Sequence, residues 1–265
     1  MMAVGMVAQT EVPELRRAIL LTYYGTNDDS IRQVSISAMT ERVRQAFPGI
    51  EVREAFTSRA AANATRHRSG LFYPLFLTAM KQLERDGYNS IVVANGELIE
   101  GRATRLLERQ IAELRPQFFE IKMTTPLLYS ADDCRRVMQL LVDKSQVQPD
   151  EQAVFVGHGK DEAYNDVYCL ADYVLQHGGN ANCHVGTISG YPSLDDIKQI
   201  LRQSGTRKVV LQLTLLFVAG DHAANDISVE WREALEREGF EVRLAIEGLG
   251  EVPEIQQLYV DKIGK

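Results

Sequence analysis

Two short stretches decide how this chain is read: AILLTYYGT (Ala18–Thr26) and AVFVGHGK (Ala153–Lys160). Each is a run of four to six mostly apolar residues that breaks into glycine and small polar groups. Such runs are too short for a helix and have the composition of a buried strand, so each reads as a strand leaving the core at a glycine turn. The pairing continues along the chain. VREAFTSR (Val52–Arg59) answers HVGTISGYP (His184–Pro192), and NSIVVANGELIEG (Asn89–Gly101) answers RKVVLQLTLLFVAG (Arg207–Gly220). FEIKMTTPLL (Phe119–Leu128) answers FEVRLAIEGLG (Phe240–Gly250). The echo is of pattern more than identity. It points to a pseudo-duplication of roughly 125–140 residues, with the link near Ser145–Glu151.

Strands are expected at Ala18–Tyr23, Glu51–Phe56, Ser90–Ala94, Glu120–Thr124, Ala153–Val156, His184–Ile188, Lys208–Phe217 and Glu241–Ile246. Amphipathic, helix-like stretches lie between them at Ser30–Phe47, Gly101–Leu114, Asp132–Val142, Tyr164–Gln176, Ser193–Gln203 and Glu230–Glu238, the last stopped by Gly239. Strands alternating with helices imply parallel pairing through right-handed crossovers. The expected fold class is α/β, with two similar lobes, each a four-stranded parallel sheet flanked by helices. The expected division is a tail at 1–16, an N-terminal lobe at 17–145 and a C-terminal lobe at 146–265.

Composition narrows the function classes. The 265 residues are 45% hydrophobic and 25% charged, an ordinary globular mix, with a net charge of −7. The longest basic run is Arg66-His67-Arg68, so no nucleic-acid footprint is present. No apolar run reaches the roughly 18 residues that a membrane span requires. Cys134, Cys169 and Cys183 are scattered and odd in number, which argues for reduced, buried or partly buried thiols and against a disulfide framework. Met1–Ala8 is apolar without a basic flank and reads as a loose tail rather than an export signal. A cytoplasmic address is therefore expected, or a periplasmic one if an export signal has been lost or truncated.

In open parallel sheets, ligands bind beyond the carboxyl ends of the strands. Those ends carry Tyr23-Tyr24-Gly25-Thr26, Thr57-Ser58-Arg59, Asn95-Gly96-Glu97, Gly157-His158-Gly159, Ser189-Gly190-Tyr191-Pro192 and Gly220-Asp221-His222. Of the five histidines, only His158 and His222 fall there. Two imidazoles at one edge suit a divalent metal or proton transfer near neutral pH; the alternative for each is a hydrogen bond to its own loop. His67 reads as part of a polar, basic loop, His177 as a helix end before Gly178-Gly179, and His184 as a half-buried structural residue at a strand start. The chain has no GxGxxG, GxxxxGK[ST], HExxH or GxSxG, which removes the dinucleotide, P-loop, zincin and serine-hydrolase motifs.

Taken together, AILLTYYGT, EVREAFTSR, FVGHGK, VGTISGYPSLDDI, LLFVAGDHAAND and GLGEVPEIQQLYVDKI resemble the anaerobic cobalt chelatases. These sirohydrochlorin cobaltochelatases are class II tetrapyrrole metal chelatases, with a fold similar to that of ferrochelatase. The resemblance runs from about Arg17 to Ile263, and its specificity lies in the order GHG, GTxxGYPSLDD, VAGDHAxND. It implies two α/β lobes around a tetrapyrrole cleft, and insertion of Co²⁺ or Fe²⁺ into sirohydrochlorin without ATP or any organic cofactor. It places the metal-binding histidines on His158 and His222. Two positions depart from the family pattern: Ser189 stands where a glutamate is usual, and Glu97 where a histidine is usual.

With Glu97 taking up the carboxylate that Ser189 lacks, the expected ligand and catalytic set is His158, His222 and Glu97, a rearranged two-histidine, one-carboxylate site. Tyr24, Arg59, Ser189 and Tyr191 are expected to contact the macrocycle. Arg59, Arg66, Arg68 and Arg102 are candidates for its eight carboxylates. Core packing accounts better for Tyr23, which alternates with Leu21. The expected partners are a small-molecule tetrapyrrole, a metal ion and, as a candidate, a second copy of the chain. The competing readings are a non-catalytic binder of haem or another metallotetrapyrrole on the same scaffold, and a two-lobed periplasmic-type solute binder.

Overall fold

The computed structural model describes residues 14–145, 147–159, 165–220 and 222–265, the side chains of 212–214 and 222–224 excepted. The tail expected over 1–16 lies outside the described residues as far as 13. Among the described residues eight strands form two parallel sheets. The first holds β1 (Arg17–Tyr23), β2 (Glu51–Phe56), β3 (Ser90–Asn95) and β4 (Glu120–Met123) in the order β2-β1-β3-β4. The second holds β5 (Glu151–Gly159), β6 (Cys183–Ser189), β7 (Lys208–Leu215) and β8 (Glu241–Leu244) in the order β6-β5-β7-β8. The two orders are the same, as the repeated sequence rhythm implies. In each sheet the winding reverses beside the first strand, at β1/β3 and at β5/β7, and that is where an open α/β sheet leaves a crevice.

The helices are α1 (Asp29–Arg32), α2 (Ala38–Ala46), α3 (Arg59–Ser69), α4 (Phe76–Arg85), α5 (Arg102–Leu114), α6 (Ala131–Ser145), α7 (Asp166–His177), α8 (Leu194–Ser204), α9 (Arg232–Arg237) and α10 (Pro253–Ile263). Wide, π-type turns join α1 to α2 at Gln33–Ser37 and lead into α9 at His222–Trp231. Among the described residues no helix is long and apolar enough to cross a membrane.

Strand β1 is buried on both faces after Arg17, as central strands of parallel sheets are. Its two faces feed different cores. Leu20, with Ile91 and Val93 of β3, packs on Met80 and Leu83 of α4 and Leu107 and Ile111 of α5. Ile19, Leu21 and Tyr23 join a core that continues into the second sheet through Phe155 and Val185. Residues of α2, α6, α7 and α10 fill the space between the sheets. The far face of the second sheet carries Val154, Val156 and Leu211 against Ile197 and Leu201 of α8, Leu235 of α9 and the single tryptophan, Trp231. Although it follows the second sheet in sequence, α10 packs on α2, α6 and β3 of the first half.

Three helices lie where no helix was expected: α3, α4 and α10. The first corrects the reading of His67 as a loop residue, since His67 is in the last turn of α3. Ser58 caps that helix by accepting the Ala61 N–H, and Gly70 ends it with a left-handed φ of 72°. Leu75 pairs with Phe56 beyond α3, and α4 then returns alongside the sheet. Helix α3 is therefore an excursion above the carboxyl edge of the first sheet, tied there by the Thr65 hydroxyl, which donates to the Thr26 carbonyl at 2.8 Å.

The structural reading of His184 holds: it is buried near the start of β6. Gln176 donates to both the Cys183 carbonyl (2.6 Å) and His184 Nδ1 (3.0 Å), while His184 Nε2–H donates to Gln152 Oε1 (2.8 Å). A second ring proton would face the Gln176 amide donor, and burial lowers the His184 pKa from the usual 6.5 to about 4. Above pH 6.5 the ring is neutral in both folded and unfolded chains and adds no pH dependence. Below that, the unfolded chain takes up a proton that the folded chain refuses. Stability is therefore expected to fall by up to about 3 kcal/mol between pH 6.5 and pH 4. Denaturant titrations at pH 7 and pH 4.5 check this: the acid loss should shrink by about that amount in His184→Gln.

Candidate metal and tetrapyrrole site

The two carboxyl edges meet at an aromatic junction. Phe217, just beyond β7, stacks on Tyr23 at the end of β1 with ring centroids 5.3 Å apart. It also meets Tyr259 of α10 edge-on at 5.5 Å. The Tyr259 hydroxyl donates at 3.5 Å to the carbonyl of Gly96, beyond β3. Tyr23 is only 2% exposed, as expected of a core residue. Tyr24, the next residue, is 64% exposed and so stands available to a ligand.

On the first-sheet side, Thr57 N–H donates to the Tyr23 carbonyl at 2.7 Å, and Thr57 Oγ1 donates to Glu97 Oε1 at 3.1 Å. The Glu97 N–H is held by Asn95 Oδ1 at 3.1 Å, and Asn95 is itself buried and bonded to Thr104. Glu97 is thus a half-buried carboxylate fixed at side chain and backbone. The Tyr259 phenol is held well above its usual range, first by burial and then by the charge of Glu97. Arg59 is the exposed first residue of α3, and Arg66 and Arg68 are exposed at its far end. Arg102 is exposed at the start of α5, which follows β3.

On the second-sheet side, β5 ends in Gly157-His158-Gly159. His158 Nδ1 donates to the Gly159 carbonyl at 2.8 Å, which puts the ring's lone pair on Nε2 in the neutral form. This is the hydrogen bond to its own loop that a structural histidine makes. It is also the bond by which metal-ligating histidines fix their tautomer. Gly159 has φ +69°, and a Cβ there would lie 1.8 Å from the Ser189 carbonyl oxygen. Ser189 ends β6, its carbonyl accepting from Asn165 at 3.3 Å, and Tyr191 beyond it is 60% exposed. His222 opens the wide-turned segment after β7, the strand paired with β5.

His158 is therefore the last residue but one of β5, His222 follows the neighbouring strand β7 of the same sheet, and Glu97 lies beyond β3 of the first sheet. The His222 side chain lies outside the described residues, and among the described ones no three histidine, cysteine, aspartate or glutamate side chains group closely enough to hold a metal. Two of the three thiols are set against a thiolate role: Cys134 and Cys183 are buried, and burial raises their pKa to about 11. Sequence reading passed over Thr57 as the partner of Glu97 and Phe217 as the junction between the halves. The apolar character of Phe217 made it look like a continuation of strand β7.

Comparison with known proteins agrees with this architecture. The chain is 28% identical over 251 residues to the sirohydrochlorin cobaltochelatase of Salmonella typhimurium, covering 93% of this chain and 94% of that protein. It is 28% identical over 270 residues to the sirohydrochlorin cobaltochelatase CbiKC of Nitratidesulfovibrio vulgaris, covering 96% of this chain and 92% of that one. Its fold superposes on that of SirB from Bacillus subtilis, solved with Fe³⁺, with a TM-score of 0.69 at 15% identity, over 94% of this chain and 95% of the other. The family model described as cobalt chelatase (CbiK) matches residues 17–265, and the chain belongs to that family.

Proposed function

We propose that this protein inserts Co²⁺ or Fe²⁺ into sirohydrochlorin, with the metal as substrate and no organic cofactor. The observation that carries this reading is the Tyr23–Phe217–Tyr259 junction, which sets the carboxyl edges of two like sheets against each other. Around it stand groups suited to an anionic macrocycle and a divalent ion. In this reading His158, through Nε2, and His222 hold the ion on one face of the ring. Glu97, fixed by Thr57, offsets part of its charge and accepts one of the two pyrrole protons that metallation releases. Exposed Tyr24 and Tyr191 flank the ring, the polar Ser189 edge borders it, and Arg59, Arg66, Arg68 and Arg102 meet its carboxylates from α3 and α5. The similarity to proteins named as cobaltochelatases favours insertion over the haem-binding alternative.

The test is direct. Purified protein is mixed with sirohydrochlorin and Co²⁺, and the absorbance of the metallated product is followed. A rate no higher than the protein-free control overturns the proposal, and a haem Soret shift without insertion would favour the binding alternative. Within this reading, Glu97→Gln is expected to weaken Co²⁺ use by roughly 10- to 100-fold in kcat/KM. Ser189→Ala should change it less than about threefold, since a hydroxyl offers no anionic ligand. The opposite ranking would place the site's carboxylate function elsewhere.

A further inference from the structure

The turn that carries β1 into α1 is held from one side, by the end of β2 and by α3. Its Tyr23 carbonyl accepts the Thr57 N–H at 2.7 Å and its Tyr24 carbonyl the Ser58 N–H at 3.3 Å. The Thr26 carbonyl lies 2.8 Å from the Thr65 hydroxyl, which is equally close to the Ala61 carbonyl one helical turn back and shares its proton between the two. Between these bonds Gly25 rests on Phe56, so closely that a Cβ would come within 2.3 Å of the ring. Phe56 lies flat on Tyr73, with centroids 4.2 Å apart, where the chain returns from α3. Thr65 is the tie that comes from the middle of the helix, and it is fully buried. The Arg68–Asp28 pair farther along is exposed and 4.0 Å apart, so it adds little. Around this lock stand exposed groups: Tyr24 on the turn, Arg59 and Arg66 on the helix.

We propose that Thr65 is a positioning residue for the macrocycle: by locking α3 to the β1–α1 turn it presets the spacing between the ring of Tyr24 and the guanidinium groups of Arg59 and Arg66. The proposal rests on the reading of the crevice as a sirohydrochlorin site, and its own content is that the first-sheet edge is assembled before the macrocycle arrives. Without the hydroxyl, the Thr26 carbonyl loses its partner and the helix can shift against the turn. The apolar face and the anionic rim of the macrocycle then meet groups that must be ordered during binding. That cost falls on macrocycle affinity. It spares the metal ion, two of whose proposed ligands belong to the other sheet. Ordering one or two side chains on binding corresponds to about 3- to 10-fold in affinity.

The experiment reads metal-free sirohydrochlorin binding by the change in its fluorescence, and takes KM separately for sirohydrochlorin and for Co²⁺ from initial insertion rates. Thr65→Val, which has nearly the same shape but no hydroxyl, should weaken sirohydrochlorin binding and raise its KM about 3- to 10-fold, while kcat and the KM for Co²⁺ stay within about twofold. Thr65→Ser restores the hydroxyl and should bind as wild type does. In the unaltered protein, metal-free sirohydrochlorin should slow hydrogen exchange across α3, a measurement that needs no variant to fold. Wild-type affinity in Thr65→Val, equal losses in Thr65→Val and Thr65→Ser, or no protection across α3 overturns the positioning role. The crevice reading survives each of these as long as the unaltered protein binds sirohydrochlorin. If the unaltered protein does not bind it, the reading falls and this proposal with it.

Discussion

His158→Ala is expected to reduce cobalt insertion by about 100-fold or more, while leaving the protein folded. The size follows from what is removed. Loss of outer-shell partners alone costs 10- to 100-fold at metal sites, and here the proposed ligand itself goes. Folding should survive because His158 is half-buried at a strand end, and the steric demands there fall on its two glycine neighbours. The measurement is the initial rate of sirohydrochlorin metallation across a range of Co²⁺ concentrations, beside a thermal melt. A melting point within a few degrees of wild type together with an undiminished rate would remove His158 from the mechanism.

The second large effect concerns stability. Gly159→Ala puts a methyl group 1.8 Å from the Ser189 carbonyl oxygen at a φ of +69°. The left-handed backbone alone costs roughly 1–2 kcal/mol for a residue with a Cβ. Forcing β5 and β6 apart adds a strain of about 1–3 kcal/mol, as overpacking does elsewhere. A total of about 2–5 kcal/mol corresponds to a drop of roughly 10 °C in melting temperature for a chain of this size. Trp231 reports the change: its ring lies so close to Gly186 of β6 that a Cβ there would meet it at 2.6 Å. Tryptophan fluorescence should therefore follow the loss of the second sheet, and a variant melting with wild type would mean that β6 yields more easily than its contacts indicate.

The eight strands were legible because they are short runs rich in Val, Ile, Leu and Phe, several of them ended by glycine or asparagine, and all eight fall within three residues of their expected ends. Strand β7 is the instructive miss. It was read on to Phe217 but ends at Leu215, because Phe217 is apolar for another reason: it wedges between Tyr23 and Tyr259. Helix α3 left no apolar stripe to read. Its sequence RAAANATRHRS buries only Ala62 and Thr65, so a serine cap and alanine propensity make it a helix. Helix α4 does carry the pattern, at Phe76, Ala79, Met80 and Leu83, and was passed over. The turns from His222 to Trp231 include Asn225 and Asp226, which break any regular stripe. Of the site, the glycine-flanked histidine at a strand end was visible in sequence. The grip of Thr57 on Glu97 was not, since it joins positions on different elements that only folding brings together.

Helix α10 carries a consequence for the order in which the protein is made. Ile255, Tyr259, Val260 and Ile263 are buried in the core that α10 closes against α2, α6 and β3, yet they leave the ribosome after the whole second sheet. Until then the earliest-made sheet keeps part of a greasy flank uncovered, so assembly of the first half has to wait for a segment that begins 130 residues after its last strand, at Pro253 against Met123. A nascent chain stalled before 253 should therefore be the species that holdase chaperones retain.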